Sequence, residues 1–200
     1  MPMKTILQIF ILIGALNLSL CHAQGTFIYD QQSALEGNSG EGAPGIQSNQ
    51  LIGQSFTPSL TAVGFIRLYL TDGSFNGVGA TVSINLRANS IGGAILGSTQ
   101  PVTVPDRFAS YSDFLFSTPV DVTPGISYFI QPVLISGDST FGVGARNSFN
   151  YSGGTAYFSG QPSTFVDLWF REGIVVPEPS AAALILAGLA MTRFIRKSRK

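Results

Sequence analysis

The chain has 200 residues and a mass of 21.2 kDa. Only 11% of the residues are charged, against a usual share of about 25%. The formal net charge is zero, but residues 24–176 hold five Arg and no Lys against ten acids, a charge of −5. A nucleic-acid partner needs a basic patch to neutralise phosphates, so this composition excludes one.

The first segment is Met1-Pro2-Met3-Lys4, an apolar run from Ile6 to Leu20, and Cys21-His22-Ala23-Gln24. A basic start, a short apolar core and a small residue before a cut describe a secretory signal peptide. Residues 1–23 are therefore expected to form a signal helix handled by the Sec translocon, with cleavage after Ala23. A membrane anchor is the competing reading, but the run is short for a span of about 20 residues. Cleavage there leaves a chain with no Cys and no His. No disulfide could then staple it, and its core must hold it alone.

Residues 24–54 are polar and Gly-rich apart from Thr26-Phe27-Ile28-Tyr29. They predict a first strand and then a loose loop. Period-two alternation follows. Phe65, Arg67, Tyr69 and Thr71 share one face, and Ile66, Leu68 and Leu70 share the other. Val82, Ile84 and Leu86 alternate with Thr81, Ser83, Asn85 and Arg87. This is the pattern of half-buried strands. Further strands are predicted at 94–99, 114–118, 127–134, 141–145, 155–158 and 166–171. Turn signals separate them: Asp72-Gly73, Gly92-Gly93, Pro105-Asp106, Pro124-Gly125, Gly137-Asp138 and Gly153-Gly154. Many short strands with Gly/Pro turns and no helical period predict an all-β, two-sheet antiparallel β-sandwich over residues 24–174, jelly-roll-like in kind.

The last segment opens with Val175-Val176-Pro177-Glu178-Pro179-Ser180. The two prolines mark a boundary. Ala181 to Met191 is apolar or Gly, and Arg193, Arg196, Lys197, Arg199 and Lys200 follow. Ala and Leu favour a helix there, and the basic end orients it to the cytoplasm. Ser180 to Ile195 would reach about 24 Å, short of a hydrocarbon core of about 30 Å. A short transmembrane helix of this kind suits a temporary anchor.

Val176, Pro177, Glu178 and Pro179, the apolar helix and the basic stop segment together resemble the PEP-CTERM sorting signal, here over residues 175–200. The resemblance implies recognition by exosortase, a membrane-embedded transpeptidase, and a cut near Pro177-Glu178-Pro179. It implies a Gram-negative producer of exopolysaccharide. The protein would be exported, transiently anchored in the membrane, and then placed on the cell surface or in the extracellular matrix. The run from Gln54-Ser55-Phe56-Thr57 through Val122-Thr123-Pro124-Gly125 to Asp167-Leu168-Trp169-Phe170 also resembles an extracellular jelly-roll-like module of secreted bacterial proteins. That second resemblance speaks to fold alone.

The residues offer little chemistry. Serine nucleophiles need a positioned base, usually His, and residues 24–176 contain neither His nor Lys. Zinc and copper sites built on His or Cys are excluded in the same way. No catalytic residue, metal ligand or cofactor is therefore assigned. The Asp72–Asn76 loop lacks the acid density of a calcium site and reads as a hairpin turn. A carboxylate glycoside hydrolase would need two acids flanking a sugar bond, and the acids here are scattered singly. Sugar binding needs a flat aromatic face with polar groups beside it. Alternation puts Asp167, Trp169 and Arg171 on one face, opposite Leu168 and Phe170. With the apolar pair in the core, Trp169 would point outward between an acid and a base, with Tyr111, Tyr151 and Tyr157 as further contacts. The competing reading is a buried Trp, since Trp is highly buried on average. The sequence thus predicts a non-enzymatic surface or matrix protein with a structural or adhesive role. The alternative is a carbohydrate-binding module that engages exopolysaccharide through an aromatic platform.

Overall fold

A computed structural model describes residues 25–37, 42–146 and 151–178. The predicted signal peptide (1–23), transmembrane helix, Pro179 and the basic residues Arg193, Arg196, Lys197, Arg199 and Lys200 lie outside them. Among the described residues there is no helix. The compact body spans Phe27–Val175.

The strands are β1 (Thr26–Gln32), β2 (Gly53–Phe56), β3 (Ala62–Thr71), β4 (Ala80–Ala88), β5 (Ile95–Ser98), β6 (Val102–Val104) and β7 (Ala109–Asp121). Then come β8 (Tyr128–Gly137), β9 (Gly142–Val143), β10 (Ala145–Arg146), β11 (Ala156–Phe158), β12 (Gln161–Pro162), β13 (Asp167–Leu168) and β14 (Phe170–Val176). One sheet has the order β1-β14-β3-β7, with β9 also on β3. The other runs β12-β11-β2-β8-β4-β5, with β6 also on β4. A small ribbon pairs β10 with β13. The ladders β3–β7, β3–β14, β4–β8 and β2–β8 are antiparallel.

The alternation of β3 and β4 decides which faces meet. Ile66, Leu68 and Leu70 of β3 join Phe114 of β7 and Phe170 of β14 in one buried cluster with Val82, Ile84 and Leu86 of β4, Ile130 of β8 and Phe56 of β2. Each such side chain contributes roughly 1.5–3 kcal/mol when fully buried. The predicted turns fall between strands or at their ends, and their acids knit the loops. Asp72 accepts the Ser74 and Arg107 N–H groups, and Asp138 accepts the Thr140 N–H, the Ser74 hydroxyl and the Asn76 amide.

Strand β2 begins inside the predicted loop, at Gly53 and Gln54. Its residues Gly53-Gln54-Ser55-Phe56 are all buried, and it sits between β8 and β11. A Cβ on Gly53 would come 2.2 Å from the Ile130 carbonyl oxygen. Glycine is needed there for the backbones to approach.

Candidate functional site

The outer face of the β1-β14-β3-β7 sheet carries Arg171 and Tyr111 of the predicted contacts, together with Arg67, Asp113 and Glu36. Antiparallel register places Arg171 opposite Arg67, and Arg67 opposite Asp113, in one row across three strands. Arg67 grips Asp113 in a two-pronged pair, Nε to Oδ1 at 2.5 Å and Nη2 to Oδ2 at 2.8 Å. The hydrogen bonds it donates to Asp113 hold the Arg67 guanidinium above its ordinary range, against the opposing effect of burial. Arg67 and Arg171 then converge on one oxygen, Oε1 of Glu36, the second at 3.0 Å. Arg171 also donates to Gln32 Oε1 at 2.8 Å and lies 3.5 Å from the centre of the Tyr29 ring. Phe27 and Tyr29 in turn meet Phe65 edge-on at 4.7 and 5.4 Å.

Trp169 is on this outer side, as the alternation predicts, but it is not exposed. Its accessibility is 0%. It packs with Ala34 and the half-buried rings of Tyr69 and Tyr111, 4.6 Å from Tyr111 between ring centres. The prediction of an outward, wet Trp169 is therefore corrected. The cause is a strap, residues Ser33–Gly37, laid across the sheet. The strap is pinned at one end where Ser33 donates to the Phe170 and Leu168 carbonyls, and at the other where the Gly37 N–H bonds Tyr111 Oη at 2.7 Å. Beneath it the Trp169 indole N–H has no acceptor among the described residues.

Asp167 does not join Trp169. The strand is interrupted between β13 and β14 at Trp169, whose N–H bonds the Gly144 carbonyl at 2.7 Å. Strict alternation fails at that break. The Asp167 carboxylate is buried, accepting the Gln54 amide at 2.9 Å and the Tyr151 N–H at 3.0 Å. Burial pushes it up, against the pull of those hydrogen bonds. Its predicted role as a glycan contact is corrected on the same ground. Arg171 stays on the outer face, half-buried and engaged as above. Tyr151 packs edge-on against Phe170 at 5.1 Å, and its hydroxyl donates to Gln31 at 3.0 Å. Tyr157 packs against Phe129 at 5.5 Å.

Two carboxyls are driven apart in acidity. Glu172, fully buried, is pushed up to about 8 by burial first and by the Asp30 charge second. Its Oε1 accepts the Gln31 N–H at 3.1 Å, its Oε2 receives no donor among the described residues, and its protonated form is favoured further by a hydrogen bond to Asp30. Burial also acts on Asp30, but the Ser59 hydroxyl and the Leu60 and Ser59 N–H groups outweigh it and hold Asp30 below the usual carboxylate range. Acids separated in this way are the mark of an acid–base pair. Here the raised acid has no exposed surface for a sugar to reach.

An open groove of about 470 Å³ lies among Pro44, Asn49, Arg146, Phe158 and Val166. None of Trp169, Asp167 or Arg171 lines it. Among the described residues no group of three or more acids, Cys or His is placed to hold a metal ion. Strand β14 closes at Val176, and Val176, Pro177 and Glu178 are exposed. Sequence reasoning missed Glu36, which lies in a polar loop, and did not single out Arg67. The alternation of Phe65, Arg67 and Tyr69 carried the signal for Arg67. Compared with protein-family models and with curated proteins, the chain matches none.

Proposed function

We propose that this chain is an exported, exosortase-sorted, non-enzymatic protein of the bacterial surface or exopolysaccharide matrix, with a structural or adhesive role. The observation that carries the reading is the junction at Val176. The last strand stops there, and Pro177-Glu178 follows exposed and outside any strand. A processing enzyme can approach that segment without unfolding the body. The N-terminal segment supports export through the Sec translocon, and the segment ending in Arg193–Lys200 supports a transient membrane hold before the cut.

We read the body as a jelly-roll-like sandwich. Counting the eight principal strands in order, the sheets run 1-8-3-6 and 2-7-4-5, two Greek keys folded on each other. Such a body needs no disulfide or metal when its core is as apolar as this one. The second reading, a carbohydrate-binding module, is favoured by one observation: the rings of Tyr69, Tyr111 and Trp169 beside Arg67 and Arg171 on one sheet face.

Fractionation of producing cells with and without exosortase tests the first reading. The protein should move from the membrane to the surface or matrix fraction only when exosortase is present. Equal distribution in both strains would sink it.

A further inference from the structure

The strap over the outer face does something unusual for a surface loop. It places a single carboxylate, Glu36, between two arginines from adjacent strands, and it lays Ala34 on an aromatic shelf. Glu36 is itself half exposed, at 47%, while its two arginine partners are 16% and 12% exposed. The arginines are thus fixed parts of the sheet, and the carboxylate is a visitor from the loop. Arg171 is held by Gln32 and Tyr29, and Arg67 by Asp113, Phe27 and Tyr29. Without Glu36, the row Arg171, Arg67, Asp113 carries one unbalanced positive charge. Arginine forks are suited to a planar carboxylate.

The shelf points the same way. Tyr69 meets Tyr111 edge-on at 5.3 Å, and Tyr111 lies tilted against Trp169 at 4.6 Å. Tyr69 follows Arg67 by two residues on the same face of β3, and Trp169 precedes Arg171 by two. Flat rings next to a carboxylate-binding pair match an acidic sugar, whose ring stacks while its carboxylate is gripped. The Trp169 N–H is fully buried, with no acceptor among the described residues. Buried donors are almost always satisfied, and a sugar hydroxyl would satisfy this one. Leu35 at 58% exposure and the exposed Gly37 show how little of the strap is buried. The Glu36 end of each pair is half exposed, where water screens the attraction and lowers what the pair contributes, so the strap can be displaced by a group of the same chemistry.

We propose that this face is a binding site for an acidic polysaccharide, whose uronate carboxylates take the place Glu36 holds between Arg67 and Arg171, and that the strap Ser33–Gly37 is its built-in competitor. The proposal rests on the reading of the chain as a polysaccharide-matrix protein and names the class of polysaccharide. Because the strap must leave first, the apparent affinity is reduced by the fraction of time the site is open. Removing the competing carboxylate should raise it.

The test uses the full-length chain in a polyoxyethylene detergent, with oligogalacturonate as probe and neutral dextran as control. Binding is read by calorimetry and by the emission of Trp169, the only Trp in the chain. Glu36→Ala should bind oligogalacturonate about tenfold more tightly than the unaltered protein, with a red shift of Trp169, and added salt should weaken both. Glu36→Ala combined with Arg171→Gln should lose at least that gain. Arg171→Lys, which keeps the charge and a long stem, guards against a folding defect, and unchanged far-UV dichroism checks each variant. Equal affinity of Glu36→Ala and the unaltered protein, or equal binding of dextran and oligogalacturonate, would overturn the proposal. Cell fractionation reads the underlying function separately. A protein that still reaches the matrix but ignores oligogalacturonate would refute this site and leave the matrix reading standing.

Discussion

Glu172→Gln should change the pH dependence of stability more than any other single substitution in the body. The Glu172 carboxyl is buried beside Asp30, with no donor to its Oε2 among the described residues, and its pKa is pushed from the usual 4.5 up to about 8. Between those two values the folded protein keeps this proton and the unfolded chain has lost it. The folded state therefore binds more protons there, and stability falls as pH rises. The contribution is fully present below pH 4.5, is lost progressively up to pH 8, and is flat beyond. At 1.36 kcal/mol for each pH unit the loss reaches about 5 kcal/mol at most, comparable to the whole stability of a marginal domain. Gln is neutral throughout and can still accept the Gln31 N–H through its own oxygen. Neighbouring groups do not mimic the effect. Asp167, also raised, is common to both proteins and cancels in the comparison, Asp30 is lowered and acts only in acid, and Tyr151 is raised away from the range concerned. Urea unfolding at unit steps from pH 5 to 9 should give a falling curve for the unaltered protein relative to the variant. Parallel curves over that range would refute the assignment of a buried, protonated Glu172.

Other substitutions probe other parts of the molecule. Trp169→Ala should cost about 3 kcal/mol, the low end for a large aromatic because its cluster is small and near the surface; thermal melting reads this, and blue emission resistant to acrylamide should precede it in the unaltered protein. Asp72→Ala removes the acceptor for the Ser74 and Arg107 N–H groups and should cost about 2 kcal/mol. Chelator should leave the melting temperature unchanged, because the oxygens of Asp72 and Asp138 are already engaged by protein donors; a drop on adding EDTA would place a cation there. Replacing Pro177 and Glu178 by Ala should leave the basic tail on the chain, seen as an intact mass that still includes Arg193–Lys200.

The face of each strand was legible because burial on one side imposes period two. Ile66, Leu68 and Leu70 went to the core, and Phe65, Arg67, Tyr69 and Trp169 to the opposite side, as the alternation predicts. Alternation tells which way a side chain points and nothing about what lies over it. Whether an outward Trp meets water depends on a loop more than a hundred residues earlier in the chain. That loop, Ser33–Gly37, lies in a segment, 24–54, that reads as polar and Gly-rich, and its hold on the sheet comes in part from Glu36 meeting two arginines that only the folded register brings together.

Strand β2 was hidden for a related reason. Gly53 and Gln54 close the segment read as loop, and no alternation marks Gly53-Gln54-Ser55-Phe56 as a strand, yet every one of the four is buried. Gln54 explains the cost being met. Its amide donates to Asp167, and its oxygen accepts the Leu168 N–H at 2.9 Å. One side chain thereby satisfies a backbone donor at the interrupted β13–β14 strand and a buried carboxylate at once. A buried polar group is stable only when its partners are present, and these partners are about 113 residues away in the chain. The same break that Gln54 repairs is what turns Asp167 inward and leaves Trp169 outward. Misreading Gln54 as a loop residue and misreading Asp167 as a surface acid are therefore one error, made at the two ends of a single hydrogen bond.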